Sequence, residues 1–372
     1  MEMGDNEMEI LEKVREAINQ NRPYVVFPLS VKETLTRMFG SSAIFEYTSK
    51  GTTYAILNLF KTSIPFQQQS SNGVKILPVD YRTFLPEREE LKYVPQHREL
   101  DILEVAMESE QNVLFVGPKG TGKTLCVAYF AQKHNLPIIQ FDCSETTKEY
   151  HLIGHYTKDV TGNVVFELGI LPLAIEVANQ AHQHGHDGAI LVLEEINALN
   201  PHVQKVLNSL LDWRRHVFVK SINKIYRLEN GTKLLIVATM NPSYYSGVFE
   251  LNEDLRSRFI EYYFNYPKED KELQIITTFV DVDENLARQV IRLANDTRKA
   301  YEAGELSYCL SPRDNINLLK LYKALLNKFN NHDTALKYAL YTVLLNRFDP
   351  IQSKQELETV KARITEIFGL EV

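Results

Sequence analysis

Gly117-Pro118-Lys119-Gly120-Thr121-Gly122-Lys123-Thr124 stands between two apolar runs, Asn112 to Val116 before it and Leu125 to Phe130 after it. The first run is strand-length and the second begins a helical period, so the octapeptide occupies a strand-to-helix turn. Glycines at 117, 120 and 122 let the backbone curl until successive N–H groups point at one anion. The new helix adds the positive end of its dipole. With the Gly-Lys-Thr ending, the segment has both the residues and the flanks of a phosphate-binding loop. Lys123 would reach the β- and γ-phosphates of a nucleoside triphosphate, and Thr124 would ligate Mg²⁺. The candidate nucleotide contacts are therefore Gly117, Pro118, Lys119, Gly120, Thr121, Gly122, Lys123, Thr124 and Leu125.

A phosphate cradle needs an acidic residue at the end of a neighbouring strand. Ile190-Leu-Val-Leu-Glu-Glu195 supplies two carboxylates directly after an apolar run. Glu194 is the candidate for the Mg²⁺ shell, although an Asp is more usual there. Glu195 is the candidate general base that polarises the attacking water. Two glutamates opening a helix would also suit its dipole without any chemistry.

Further out, short apolar runs alternate with helical segments: Asn112 to Val116, Ile138 to Asp142, Ile190 to Leu193, Leu234 to Ala238 and Ile260 to Phe264. That alternation predicts a parallel α/β sheet. After Pro267 the periods are helical, with Leu286, Val290, Ile291 and Leu293, then Ile316 to Tyr322, then Leu336, Leu340 and Leu344. Ahead of the sheet, Met8 to Gln20 and Val31 to Phe39 read as helices. Ile44 to Tyr47 and Tyr54 to Phe60 read as a hairpin turning at Ser49-Lys50-Gly51, with Phe45, Tyr47, Tyr54 and Phe60 as its core. The polar stretch Gln67 to Gly73 is a linker or a long loop. The expected division is a small α+β unit over 1–90, an α/β nucleotide-binding unit over 91–267 and a helical lid over 268–372.

Composition narrows the class. Of 372 residues, 44% are hydrophobic and 24% charged, as in an ordinary globular protein. Lys+Arg of 41 against Asp+Glu of 48 leaves a net charge of -7, which disfavours phosphate backbones unless cations are gathered locally. Lys205 to Arg227 gathers six, at 205, 214, 215, 220, 224 and 227, against Asp212 alone. Three scattered cysteines suit neither a disulfide framework nor structural zinc. The histidines at 182, 184 and 186 lie in a loop that fixes no coordination geometry. No apolar run approaches the ~18 residues needed to span a bilayer, and the acidic first twenty residues do not read as a leader. A cytoplasmic location and no membrane insertion are expected.

Together with Leu234-Leu-Ile-Val-Ala-Thr-Met-Asn-Pro242, Leu255-Arg-Ser-Arg-Phe259 and Leu310-Ser-Pro-Arg313, these motifs resemble the AAA+ ATPases of the MoxR and CbbQ/NorQ-like branch over roughly Tyr93 to Asp349. The resemblance implies a P-loop AAA+ parallel sheet core with β-hairpin insertions, an all-helical lid after it and a small α+β N-terminal domain before it. It also implies ATP and Mg²⁺ at the site. Asn241 would contact the attacking water or γ-phosphate (sensor 1). Arg258, with Arg256 beside it, would be supplied to the next subunit as an arginine finger, and Arg313 would be the helical-domain arginine at the γ-phosphate (sensor 2). The segment His155 to Leu168, turning at Thr161-Gly162-Asn163, resembles the helix-2 insert of this branch. Phe166 and the 161–163 tip would then contact the partner. Val217 to Arg227, with Asn230-Gly231 as its turn, is a second insertion.

A homo-oligomeric, hexameric ring hydrolysing ATP is what the resemblance implies. Its object stays open at this point. One reading is a MoxR-like chaperone that remodels or matures a protein client, with a von Willebrand factor A domain partner implied by the family. Another is a nucleic-acid-dependent motor gripping DNA or RNA through the basic hairpin or residues 1–90. A third is a nucleotide-gated scaffold whose metal site is weakened by Glu194.

Overall fold

The computed structural model describes residues 10, 13–14, 24–39, 44–49, 52–58, 75–87, 89–159, 162–241 and 249–371. The Met8 to Gln20 helix falls almost wholly outside them, as do the Gly51 turn, the Gln67 to Gly73 stretch, Phe60, Thr161 and Pro242.

The strands in chain order are β1 (Tyr24–Pro28), β2 (Ile44–Ser49), β3 (Thr52–Asn58), β4 (Asn112–Val116), β5 (Ile138–Asp142), β6 (Gly154–Lys158), β7 (Val164–Leu168), β8 (Gly188–Glu194), β9 (His216–Val219), β10 (Lys224–Arg227), β11 (Lys233–Met240) and β12 (Phe259–Tyr263). Five of them form one all-parallel sheet in the order β12-β4-β11-β8-β5. These are the five runs read from the sequence. They are apolar without alternation because both faces of the sheet are covered. Leu114, Val116, Leu191, Leu193, Ile236 and Ala238 point to one face, against the Ile170–Gln183 helix. Val113, Phe115, Ile190, Val192, Leu235 and Val237 point to the other, against helices Glu99–Glu108 and Lys123–Lys133.

After β12 the chain is helical: Glu269–Phe279, Glu284–Glu302, Pro312–Phe329, His332–Val343 and Lys354–Phe368 enclose a core of their own around Ile291, Leu318, Leu340 and Ile364. At the other end, β1, β3 and β2 form a three-stranded antiparallel sheet. Its core is Ile10, Val14, Phe27, Leu35, Ala55 and Leu57. Tyr47, expected in that core, is exposed. The β1 strand is an element the sequence reading lacks.

Two antiparallel hairpins stand out from the parallel sheet, β6–β7 and β9–β10. They touch where the Tyr156 hydroxyl donates to Ser221 O at 2.9 Å. Two expectations about them are corrected. Phe166 is 0% exposed, because it is sealed between the main core and residues 75–77, whose backbone pairs with its own. And β9 turns into β10 through Lys220–Ile222 and Asn223, which takes φ 51°; Asn230-Gly231 instead leads into β11.

The stretch ahead of residue 90, grouped with the small unit by sequence, makes its contacts with the α/β layers. Ile76 is buried in the main core. The Tyr81 N–H donates to Gln180 Oε1 at 3.2 Å, and its ring stacks on His184. His182, expected in a loop, lies in the last turn of the Ile170–Gln183 helix, and it, His184 and His186 each pair through Nδ1 with a backbone carbonyl. Among the described residues no cluster of three or more His, Cys, Asp or Glu suited to a metal is found, and no helix is long and apolar enough to cross a membrane.

Candidate nucleotide site

Strand β4 delivers the loop 117–122 onto the N-terminus of the Lys123–Lys133 helix, at the carboxyl end of the sheet. Gly117 runs so close to the chain leaving β12 that a Cβ there would lie 2.1 Å from Phe264 O. Gly120, at φ 73°, leaves only 2.3 Å between such a Cβ and Ser311 Oγ, so the loop abuts the helical region directly.

Lys123 is buried, and its Nζ donates to Gly117 O at 2.7 Å and Pro118 O at 2.8 Å, with Asn241 Oδ1 at 3.5 Å. Burial pushes its ammonium down to about 8. The Glu195 charge opposes that shift, and Arg313 and Lys119 add to it. Thr124 Oγ1 donates to Glu194 Oε2 at 2.7 Å. A hydroxyl beside a carboxylate at the mouth of a phosphate cradle is a hard-oxygen pair of the kind Mg²⁺ takes, so these residues fit the ion.

Glu195 follows β8 in the left-handed region, at φ 52°, a conformation costly for a branch-bearing residue and common where function holds a side chain in place. Its N–H donates to Thr239 Oγ1 at 3.2 Å. Its Oε1 accepts from Asn241 Nδ2 at 3.3 Å, with Lys119 Nζ at 3.9 Å. Asn241, at the end of β11, is itself held through its carbonyl by the Asn197 amide at 3.1 Å. A cavity of about 370 Å³ is lined by residues 119–125, Glu194, Glu195, Thr239 and Asn241 from the sheet side. Arg313, Ile316 and Lys320 close it from the helical side, and Tyr93 and Gln96 from the entering segment.

Arg256 and Arg258 are not among the cavity residues. Arg256 is held by Glu261 of its own chain through two bonds, at 2.5 and 2.8 Å, and this pairing raises it above the usual arginine range. Arg258 lies 3.0 Å from Asp254 and 3.7 Å from Asp212, and its buried Nε has no partner. Three of the six cations of the basic stretch are engaged internally. Arg214 binds Asp212, Arg215 binds Asn112 Oδ1 and Glu110 O, and Lys224 lies 4.4 Å over the Tyr226 ring.

The sequence reading missed the fully buried Glu99. Its carboxylate accepts from Tyr93 OH and Gln96 N–H, both at 2.6 Å, and from His97 N–H at 2.8 Å. These bonds hold the carboxyl below the usual range against its burial. They also fix the segment from which Gln96 Nε2 donates to Thr121 O at 2.8 Å.

A phosphate loop on a parallel sheet, with paired carboxylates and a polar residue at adjacent strand ends, defines a nucleotide-binding P-loop protein. Residues 112–259 match the AAA domain family of the dynein-related subfamily, and the chain is similar to the NorQ and NirQ proteins. It is 28% identical over 273 residues to protein NorQ of Paracoccus denitrificans, covering 73% of this chain and 93% of that protein. It is 27% identical over 207 residues to the denitrification regulatory protein NirQ of Stutzerimonas stutzeri, covering 56% and 70%. Among solved structures, a putative ATPase from Cytophaga hutchinsonii matches over 72% of this chain and 89% of that one at 21% identity and a TM-score of 0.38. That superposition is too loose to add to the fold described above.

Proposed function

We propose that this protein hydrolyses ATP in a ring of its own copies, six by family resemblance, and uses the resulting change of shape to remodel or mature a protein partner. The observation that carries the reading is the convergence on one cavity of Lys123, the Thr124–Glu194 pair, the Glu195–Asn241 pair and Arg313.

In this reading Lys123 and the loop amides bind the β- and γ-phosphates, and Arg313 closes on the γ-phosphate from the helical lid. Glu195 takes the proton of a water as its oxygen attacks the γ-phosphorus. The bond to the bridging oxygen breaks, and ADP leaves with that electron pair. Asn241 fixes the Glu195 carboxylate and orients the water. A Mg²⁺ ion held through Thr124 and Glu194 would offset phosphate charge. Arg258, lying outside its own cavity, serves the site of a neighbouring copy.

A protein partner is favoured over nucleic acid because Tyr156, Val164, Phe218 and Ile225 of the hairpins are exposed, whereas Arg214, Arg215 and Lys224, three of the six cations of the basic stretch, are engaged internally. A von Willebrand factor A domain protein is the first partner to try. The three-unit division is kept as part of this proposal, with the first boundary moved from residue 90 to before Lys75, since Ile76 and Tyr81 pack on the α/β layers.

The test is steady-state ATP hydrolysis against protein concentration. Glu195→Gln is expected to lose turnover by about 10²–10⁴-fold while still binding ATP, and the wild-type rate per chain is expected to climb with concentration. A Glu195→Gln protein as fast as wild type would refute the base assignment. Stimulation by single-stranded or duplex nucleic acid would refute the choice of partner.

A further inference from the structure

The helical region contains an ion pair that the nucleotide site does not touch. Glu272 is 0% exposed and Arg298 is 4% exposed. They form two parallel bonds of 2.7 Å. A buried pair of this kind contributes little stability compared with well-packed apolar residues, so its retention calls for a geometric explanation. The guanidinium has further engagements. Its Nε donates to Leu310 O at 2.9 Å, and its face lies 4.2 Å over the Tyr266 ring in the connector that leaves the sheet. Glu272 also accepts from Asn315 Nδ2 at 2.8 Å. The pair therefore grips the chain on both sides of Ser311-Pro312-Arg313: Leu310 immediately before it and Asn315 just after. It does so from helices Glu269–Phe279 and Glu284–Glu302 together. Ser311, capped by Asp314 through a 2.5 Å bond, is the residue that Gly120 of the phosphate loop abuts.

We propose that Arg298 and Glu272 are positioning residues that set the Leu310–Arg313 turn against the phosphate loop, and that the preference for ATP over ADP depends on them through Arg313. This rests on the reading of Arg313 as a γ-phosphate contact. Arginine suits the place because its planar fork gives the carboxylate two parallel bonds while its Nε still serves a carbonyl, a fixed geometry that a lysine's single ammonium lacks. The Tyr266 contact extends the grip to the connector, so the sheet and the helical region share one fixed point.

The experiment compares wild type, Glu272→Met/Arg298→Met, Asn315→Leu and Arg313→Met. It reads the melting temperature and the Kd values of fluorescent ATP and ADP analogues. Replacing both charges leaves neither unpaired, and Asn315→Leu removes one bond together with a buried Oδ1 that has no partner. The double variant, which also leaves Leu310 O and Asn315 Nδ2 without their partners, is expected to melt several degrees lower while still folding and to weaken ATP binding tenfold or more, with ADP weakened less. Asn315→Leu should follow with about a threefold loss and decides the matter should the double variant not fold. Wild-type Kd values for both nucleotides in the folded variants, or a lowered melting temperature alone, would overturn the proposal. If Arg313→Met weakens ATP while the double variant does not, the positioning role fails and the Arg313 reading stands. If Arg313→Met has no effect while the double variant weakens both nucleotides equally, the Arg313 reading fails and with it the ATP preference, leaving only the turn's contact at Gly120.

Discussion

Because burial sets the Lys123 ammonium at about 8 in the free protein, nucleotide binding is expected to take up a proton in the weakly alkaline range. Only the charged lysine stabilises bound phosphates, and their charge pushes its pKa far up once they are bound. Taking 8 as the free value, about half a proton per site is taken up at pH 8 and about 0.9 at pH 9. Protonated lysine falls from roughly 76% at pH 7.5 to 9% at pH 9, so affinity should drop about eightfold, or about 1.3 kcal/mol. Below pH 7 the dependence flattens. The sign for folding is opposite: between pH ~8 and ~10.5 the unfolded chain binds the proton that the folded chain sheds, so unliganded stability should rise with pH in that window. Calorimetric titration with a Mg²⁺–nucleotide in buffers of different ionisation enthalpy measures the uptake directly. Arg313→Met, which removes one of the charges holding Lys123 down, should reduce it. Affinity flat from pH 7.5 to 9 with no uptake at pH 9 would refute both the burial argument and the role of Lys123.

Gly120→Ala should lower nucleotide affinity and melting temperature together, costing about 1–3 kcal/mol. Gly162→Ala, also at positive φ (85°) but with nothing within 4 Å, carries the backbone strain alone and isolates the clash with Ser311. Phe166→Ala should destabilise the fold by about 3–5 kcal/mol in urea denaturation, whereas a loss within ~0.5 kcal/mol would mark it as a surface residue after all. Trp213, the one tryptophan of the chain and 90% exposed, follows Asp212, the carboxylate beside Arg258. Its emission should shift to the blue and its acrylamide quenching weaken as copies associate. Unchanged emission in a sample that sediments as an oligomer would place the contact between copies elsewhere. Arg258→Ala should slow hydrolysis a thousandfold or more and Arg256→Ala far less, since Glu261 already engages Arg256; equal losses would count against that ordering.

The sheet was legible because its signals are local. Each strand is a largely apolar run, β5 and β8 close on an acidic residue, β11 is followed by Asn241, and the phosphate loop advertises itself through glycine spacing and flanks. What failed depends on contacts distant in sequence. The β6–β7 hairpin is legible from its Thr161-Gly162-Asn163 turn, but nothing local says that residues 75–77 will cover Phe166 from the other side. Asn230-Gly231 is the stronger turn signal by residue type, yet the hairpin turns at Lys220–Asn223, where the strands are paired with their hydrophobic side toward the Ile170–Gln183 helix. The stretch 75–96 is an extended strap whose pattern follows the surfaces it crosses, so it has no period to read. Glu99 looks like any acidic residue in a first helical turn until Tyr93 and two backbone amides fold back onto it. The arginines at 256 and 258 were found by resemblance; of their acidic partners only Asp212 comes from a distant stretch of chain, whereas Asp254 and Glu261 lie four and five residues away.

The strand order also governs when a newly made chain becomes able to bind nucleotide. Strand β4, which presents the phosphate loop, lies between β11 and β12, both made long after it. Strand β5 likewise waits for β8. At ~5–20 residues per second, the interval between synthesis of β4 and release of β12 is roughly 7 to 30 s. Until β11 is made β4 lacks both neighbours, and until β12 follows it lacks one, while the loop behind it has no Phe264 carbonyl to lean on and no Ser311 to abut. A nascent chain arrested before Phe259 should therefore bind no nucleotide and should engage chaperones through the Asn112–Val116 segment. Ligand cannot assist the early stages of folding and can stabilise only the finished sheet.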